Sequence, residues 1–254
     1  MIPASYESPR LLGEYLLLHY GSGTDLRHPS LPLPDDLTST PFPVRCIREL
    51  LDPSLLTSDA TAFEAGCAVG ASAFELARSC CTVMAGDFSH SFITAANRLA
   101  AEGMHDAVLT VEGESVRPFT ARVPAEIDRS RVRFAVQDAM ALPHGLGPYD
   151  VVLAANLICR LPEPETFLGR LPSLVKPGGQ LLLTTPFTWL EEFTPKEHWI
   201  GGRVEGPSSE EELTRRLSST FRLHRRIDLP FLIREHGRKY QLGIALGTSW
   251  IRTA

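Results

Sequence analysis

The sequence predicts an α/β fold, doubly wound, with a mostly parallel seven-stranded sheet, an N-terminal helical cap and an inserted hairpin. Three observations carry that expectation. From residue 61 onwards, strand-like runs alternate with helical patterns, as parallel strands joined by right-handed crossovers require. The run 149–155 is almost wholly apolar, as a strand covered on both faces should be. The tail holds two strand-like runs, 221–228 and 240–250, without a helix between them, which suits an antiparallel hairpin closing the sheet.

The elements follow in order. Residues 9–20 read as an amphipathic helix with Leu12, Tyr15, Leu16 and His19 on one face. Residues 21–43, with prolines at 29, 32, 34, 41 and 43, read as a loop without regular structure. A short helix over 44–51 is stopped by Asp52-Pro53. Residues 1–58 are therefore expected to form a cap packed on a main domain spanning 59–254. In that domain 61–65 is the first strand, 71–80 a helix and 82–86 the second strand, and Ser89 caps a helix to 101. Short runs at 107–110 and 120–123 suggest the inserted hairpin. Strands at 131–136 and 149–155, a helix over 164–175, a strand at 180–185 and a helix at 209–219 complete the alternation.

Composition narrows the function classes. The chain has 254 residues, 43% of them hydrophobic, enough for one sizeable core. The formal net charge of −5 supplies no basic field for nucleic acid. No apolar run reaches membrane-spanning length, and residues 1–10 lack a signal-peptide pattern, so neither membrane nor nucleic acid is an expected partner. Five irregularly spaced cysteines fit a reducing cytoplasm better than a disulfide framework, and no Cys or His spacing suggests a metal.

The chemistry concentrates at strand ends. The run Glu64-Ala65-Gly66-Cys67-Ala68-Val69-Gly70 leads a strand through a glycine turn into a helix. Gly66 permits the sharp turn, and Gly70 permits close approach of a ligand to the helix start. One glycine of G-x-G-x-x-G is missing, which disfavours a nicotinamide-dependent oxidoreductase. Asp87, followed by Phe88, ends the second strand, where such folds place an acid for ribose hydroxyls. Asp138 and Ala139 follow the third parallel strand, placed to meet an adenine amine and its apolar face. Asn156 ends the next strand, where it contacts cofactor or substrate, or simply stabilises a turn.

These residues, with Lys176-Pro177-Gly178-Gly179, resemble the class I S-adenosylmethionine-dependent methyltransferases, a Rossmann-like family. The resemblance implies S-adenosylmethionine as cofactor, held by Glu64, Gly66, Cys67, Gly70, Asp87, Phe88, Asp138, Ala139 and Asn156. Glu64 stands where many members have Asp. A narrower resemblance rests on the opening Tyr6-Glu7-Ser8 with Glu14-Tyr15-Leu16 and His19-Tyr20-Gly21, and on the run Pro186-Phe187-Thr188-Trp189-Leu190-Glu191-Glu192-Phe193-Thr194-Pro195-Lys196-Glu197 with Trp199. Together with 231–240 these segments look like the C-terminal methyltransferase domain of ovothiol-biosynthesis enzymes, the mercaptohistidine N-methyltransferases. That resemblance implies methylation of a ring nitrogen of thiohistidine in the cytoplasm, with an iron-dependent sulfoxide synthase acting in trans.

On the acceptor side, the strand end Ala155-Asn156-Leu157-Ile158 lacks the tetrad usual in nucleic-acid amino-methyltransferases. A small zwitterion needs a cation for its carboxylate and an aromatic slot for its ring. Tyr15, Asn156, Phe187, Trp189, Glu192 and Arg234 are the candidate substrate contacts. Glu191, Glu192 and His198 are candidate bases that the sequence does not separate. Two alternatives stay open: a methyltransferase for another small acceptor, and a non-catalytic S-adenosylmethionine-binding protein.

Overall fold

The computed structural model describes residues 4–253, so the first three residues of the opening stretch, and Ala254, lie outside it. Seven strands form one sheet in the order β5-β2-β1-β6-β7-β9-β8. They are β1 (Thr61–Ala65), β2 (Thr82–Asp87), β5 (Val132–Val136), β6 (Tyr149–Ala155), β7 (Val175–Thr185), β8 (Phe221–His236) and β9 (Lys239–Arg252). The first five run parallel, and β9 pairs antiparallel with both β7 and β8. The inserted hairpin, β3 (Met104–Glu112) with β4 (Ser115–Arg122), forms its own two-stranded sheet.

Helices α1 (Pro9–Tyr20), α2 (Gly23–Leu26), α3 (Asp35–Thr38) and α4 (Phe42–Leu50) precede the sheet. Helices α5 (Ala71–Leu76), α6 (His90–Glu102), α7 (Pro164–Leu174) and α8 (Ser209–Leu217) follow. Two apolar clusters cover the sheet's two faces. One holds Leu16, Leu17, Ile47 and Leu50 with Phe74, Phe92 and Leu99. The other holds Phe63, Phe167, Leu171 and Leu181 with Trp250. The buried Gln180 amide is satisfied, exchanging two 2.9 Å hydrogen bonds with the backbone of Asp52. Asp150 ties three strands together, accepting from the Thr61 backbone at 2.8 Å and from Lys176 at 2.8 Å.

Four expectations from the sequence are corrected. The loop 21–43 contains two single-turn helices, α2 and α3, because Ser22 and Pro34 each start a turn before the next proline intervenes. Helix α5 ends at Leu76 and not at residue 80. Its last turn tightens, with Arg78 and Ser79 donating to the carbonyls of Glu75 and Leu76. Strand β7 begins at Val175, so the Lys176-Pro177-Gly178-Gly179 turn lies within it. The closing hairpin is much longer than 221–228 and 240–250, running through Pro230 to a turn at Gly237-Arg238. Pro230 is tolerated because β8 is an edge strand, and its carbonyl accepts from Arg45 at 3.0 Å.

The chain order reverses between β1 and β6: β2 and β5 are added on one side, β7 on the other. In such a sheet the crevice beyond the carboxyl ends of β1 and β6 is where ligands bind.

Candidate cofactor and acceptor site

A cleft of about 340 Å³ opens at that crevice. The ends of β1, β2 and β6 floor it, and α1 and the Tyr6 segment roof it. The β1 turn is fixed by backbone bonds from Gly66 and Cys67 to the Gly86 carbonyl, at 2.8 and 3.0 Å. Gly66 has φ +72, and a Cβ there would lie 2.8 Å from Leu157 Cδ1. Gly70 has φ +86, and a Cβ there would lie 2.5 Å from the Phe134 ring. What Gly70 admits is therefore the Phe134 ring, where the sequence suggested a ligand; the floor it makes is protein. The Tyr20 hydroxyl donates to the Val69 carbonyl at 2.7 Å, and the Ala71 N–H to His19 Nδ1 at 3.3 Å, so α1 is pinned to the same turn. Burial holds the His19 imidazole down at about 3, which keeps it a neutral acceptor.

Two acids face the cleft. Asp87, 6% exposed, accepts from Ala68 N–H at 2.9 Å and from Ser89 N–H at 3.0 Å. Burial raises its carboxyl above the ordinary range, and the backbone donors pull the other way. A carboxylate has about four lone-pair positions, so two bonds leave Asp87 capacity for a pair of hydroxyls. Glu64, 1% exposed, accepts at Oε1 from the Ser72 hydroxyl, while its buried Oε2 has no partner. Burial pushes Glu64 up to about 8, opposed by Ser72 and reinforced by the Asp87 charge.

Asn156 ends β6 in left-handed backbone, φ 52. Its N–H donates to the Thr184 carbonyl at 2.8 Å, and its Oδ1 accepts from the Thr184 hydroxyl at 2.9 Å. The side-chain NH₂ keeps no protein partner among the described residues, and the residue lines the cleft. Above it sits an aromatic group. The Tyr6 ring centroid lies 5.3 Å from Phe88, 6.0 Å from Phe92 and 6.4 Å from both Tyr15 and Phe193. Glu7 fastens this segment, accepting from the N–H groups of His90 and Ser91 at the start of α6, both at 3.0 Å.

The structure brings Tyr15, Glu64, Gly66, Asp87, Phe88 and Asn156 to one cleft. Cys67 and Gly70 lie in the turn beneath it. Asp138 and Ala139 lie past the end of β5 and are not among the residues lining the cleft; Asp138 accepts from Met140 N–H at 2.8 Å to start a short turn. The segment after β7 divides. Pro186 and Thr188 line the cleft, and Phe193 reaches Tyr6. Phe187 and Trp189 pack on the second core cluster; the Trp189 indole donates to Ser209 and stacks on Trp199. Glu191, Glu192 and His198 are exposed and are not among the residues lining the cleft. Arg234 reaches the Asp25 carbonyl and lies over Tyr240, also away from the lining. Sequence reasoning missed Tyr6 as a wall residue, along with Ser72, Arg160 and the distal hairpin at Ile233 and 241–244. The Tyr6-Glu7-Ser8 opening was a visible signal for Tyr6; nothing local marks Arg160.

Comparison with known proteins agrees with this fold. A crystal structure of magnesium protoporphyrin IX methyltransferase from Synechocystis with bound S-adenosylmethionine superposes with a TM-score of 0.51 at 17% identity, covering 83% of this chain and 76% of that one. An N-methyltransferase from Bradyrhizobium japonicum in complex with S-adenosyl-L-homocysteine gives 0.54 at 18% identity, covering 89% and 94%. A Methanosarcina mazei S-adenosylmethionine-dependent methyltransferase gives 0.54 at 16%, covering 79% and 95%. The fold is that of the class I S-adenosylmethionine-dependent methyltransferases. Residues 63–183 match the methyltransferase domain family, a stretch running from β1 into β7 and holding the glycine turn, Asp87 and Asn156. Over 81 residues the chain is also 32% identical to 2-methyl-6-phytyl-1,4-hydroquinone methyltransferase from Synechocystis sp., covering 32% of this chain and 24% of that protein. The matched stretch thus spans about a quarter of that relative's length.

The residues present fit S-adenosylmethionine, the cofactor seen in this fold. Asp87 has open lone pairs for a ribose diol, and the unpartnered Oε2 of Glu64 is a buried acceptor suited to a cationic group. Among the described residues no group of three or more His, Cys, Asp or Glu is placed to hold a metal ion. No helix of the described chain is long and apolar enough to cross a membrane.

Proposed function

We propose that this protein transfers the methyl group of S-adenosylmethionine to a ring nitrogen of thiohistidine, the sulfur having been installed by an iron-dependent sulfoxide synthase. The observation that carries the reading is one cleft in which two buried acids at the cofactor strand ends face an aromatic wall of Tyr6, Tyr15, Phe88 and Phe92. The wall suits a flat, electron-rich ring. The resemblance of the opening segment and of the segment after β7 to mercaptohistidine N-methyltransferases gives the ring its identity.

The cofactor supplies an electrophilic methyl group on a sulfonium; the chain supplies position and dryness. The pyridine-type nitrogen of an imidazole attacks with its own lone pair, forming the N–C bond as the C–S bond breaks. No proton leaves in that step, and with the sulfur as thiolate the product is a neutral imidazolium-thiolate pair. A base is not required, in keeping with the exposure of Glu191, Glu192 and His198. Burial raises the Tyr6 and Tyr15 hydroxyls, so both stay protonated in the wall of the cleft.

The test is incubation with isotope-labelled S-adenosylmethionine and ring-labelled thiohistidine, followed by NMR. A methyl carbon coupled to a ring nitrogen supports the reading. An S-methyl product, or equal rates on plain histidine, refutes it, because a site holding the thiolate leaves polar groups unpaired when the sulfur is missing.

A further inference from the structure

We propose that Arg160 is the receptor for the carboxylate of the acceptor, and hence the residue that selects an amino acid over its decarboxylated amine. The proposal rests on the reading of the site as one for a small zwitterion. It reassigns the charge partner that the sequence placed at Arg234.

Among the described residues lining the cleft, Arg160 is the one with a permanent positive charge; the ionisable acids there are Glu64 and Asp87. An anionic substituent entering the cleft therefore has one electrostatically favourable place to go. Arg160 closes the short turn after β6, four residues beyond Asn156. It is half-buried and held rigidly from one side. Its Nη1 donates to the carbonyls of Cys159 at 3.1 Å and Thr188 at 2.9 Å, and its guanidinium carbon lies 4.8 Å from the Phe193 ring centroid. Its Nε and Nη2 have no protein partner, and no carboxylate pairs with it, among the described residues. A guanidinium anchored through one nitrogen, stacked on a ring and left with a free edge is preorganised for a carboxylate.

The neighbours fit the rest of an aromatic amino acid. The ring that carries Arg160 also faces Tyr6, at 6.4 Å, so the charge receptor adjoins the aromatic wall. Thr188, whose carbonyl fixes Arg160, lies in the same cleft on the segment after β7 and not on the strand ends that carry Glu64 and Asp87. Arg234 has no such access. It donates to the carbonyls of Asp25 and His236, and its guanidinium carbon lies 5.8 Å from the Tyr240 centroid.

The experiment measures kcat and KM for two pairs of acceptors, thiohistidine with its decarboxylated amine and histidine with histamine. It uses the full chain, its Arg160→Met and Arg160→Lys variants, and calorimetric affinities for S-adenosylmethionine. The wild type should prefer the carboxylated member of whichever pair it methylates, by about 10- to 100-fold in kcat/KM. Arg160→Met should erase that preference through KM, and Arg160→Lys should restore part of it, while cofactor affinity changes by less than about twofold. If thiohistidine is inert but histidine is methylated with an Arg160-dependent preference, the substrate identity falls and the carboxylate receptor stands. A preference that survives in Arg160→Met overturns the receptor. So does a parallel loss of cofactor affinity, which would assign Arg160 to the methionine carboxylate of the cofactor. Turnover of neither pair by the wild type overturns both readings.

Discussion

Glu64→Gln is expected to reverse its effect on stability between mildly acidic and alkaline pH. The folded protein holds Glu64 at about 8, against 4.5 for an ordinary glutamate, chiefly through burial. Below pH 4.5 the carboxyl is protonated in folded and unfolded chains alike, and it adds no pH dependence to stability. As pH rises from 4.5 to about 8 the unfolded chain gives up the proton while the folded one keeps it, so stability falls throughout that window. The full interval corresponds to roughly 5 kcal/mol, a large share of a typical domain's stability. Glutamine retains an oxygen for the Ser72 hydroxyl but puts a donor where the unpartnered Oε2 stood, at a cost of about 1–3 kcal/mol independent of pH. Near pH 5 the variant should therefore melt slightly below the wild type, and near pH 8.5 above it. Denaturant titrations at several pH values read the crossing directly. Asp87, raised by burial too, leaves a smaller slope of the same sign in both proteins. In the cofactor complex, a cationic group beside Glu64 favours its ionised form, so S-adenosylmethionine affinity should rise with pH across 5–8 in the wild type and less steeply in the variant. Parallel stability curves for the two proteins would refute the account of Glu64 as a buried, protonated acid.

Three further outcomes follow from the same geometry. Asp87→Ala should weaken S-adenosylmethionine binding by about 1.5–3 kcal/mol while the fold survives, and unchanged calorimetric affinity would remove Asp87 from the site. Gly70→Val should lower the melting temperature more than Gly66→Ala. Its Cβ would meet the Phe134 ring at 2.5 Å in left-handed backbone, whereas at Gly66 the obstacle is the mobile end of Leu157 at 2.8 Å, and equal losses would contradict that packing. Glu192→Gln and His198→Ala should each change kcat/KM by less than about twofold, since both side chains are exposed away from the cleft, and a hundredfold fall in steady-state turnover would make one of them the base.

The sheet was legible because its strands are buried on both faces and read as apolar runs: Val151, Val152, Leu153 and Ala154 are all inaccessible. The glycine turn after β1 and the acid at the end of β2 were legible because local chain geometry sets both, so a glycine and a carboxylate at fixed spacing mark them. The distal hairpin was not. Leu229-Pro230 looks like a strand end until the edge position of β8 is known, and the exposed Leu242 and Ile244 give no sign that they border a cleft. The aromatic run after β7 misled differently. Its richness is real, but Trp189 and Trp199 spend their indole N–H groups on Ser209 and on the Thr194 carbonyl, holding the segment down. Local composition does not distinguish a ring that anchors a loop from a ring that faces a ligand; only the direction of the chain does.

The N-terminal segment explains how one fold confines its chemistry. The β-strand ends make a cofactor crevice that is open on its outer side, and a methyl donor there is exposed to water unless something covers it. Here the N-terminal segment is bonded to the elements that floor the cleft. Glu7 binds the first amides of α6, Tyr6 offers its carbonyl to the Ser89 hydroxyl two residues past Asp87, and Tyr20 and His19 bond the turn after β1. Tyr6 and Tyr15 of the aromatic wall and the anchors of the turn after β1 thus come from the same short stretch of chain, with Phe88 and Phe92 completing the wall from beyond β2. A change that loosens α1 therefore acts on the turn after β1 and on the wall of the cleft together.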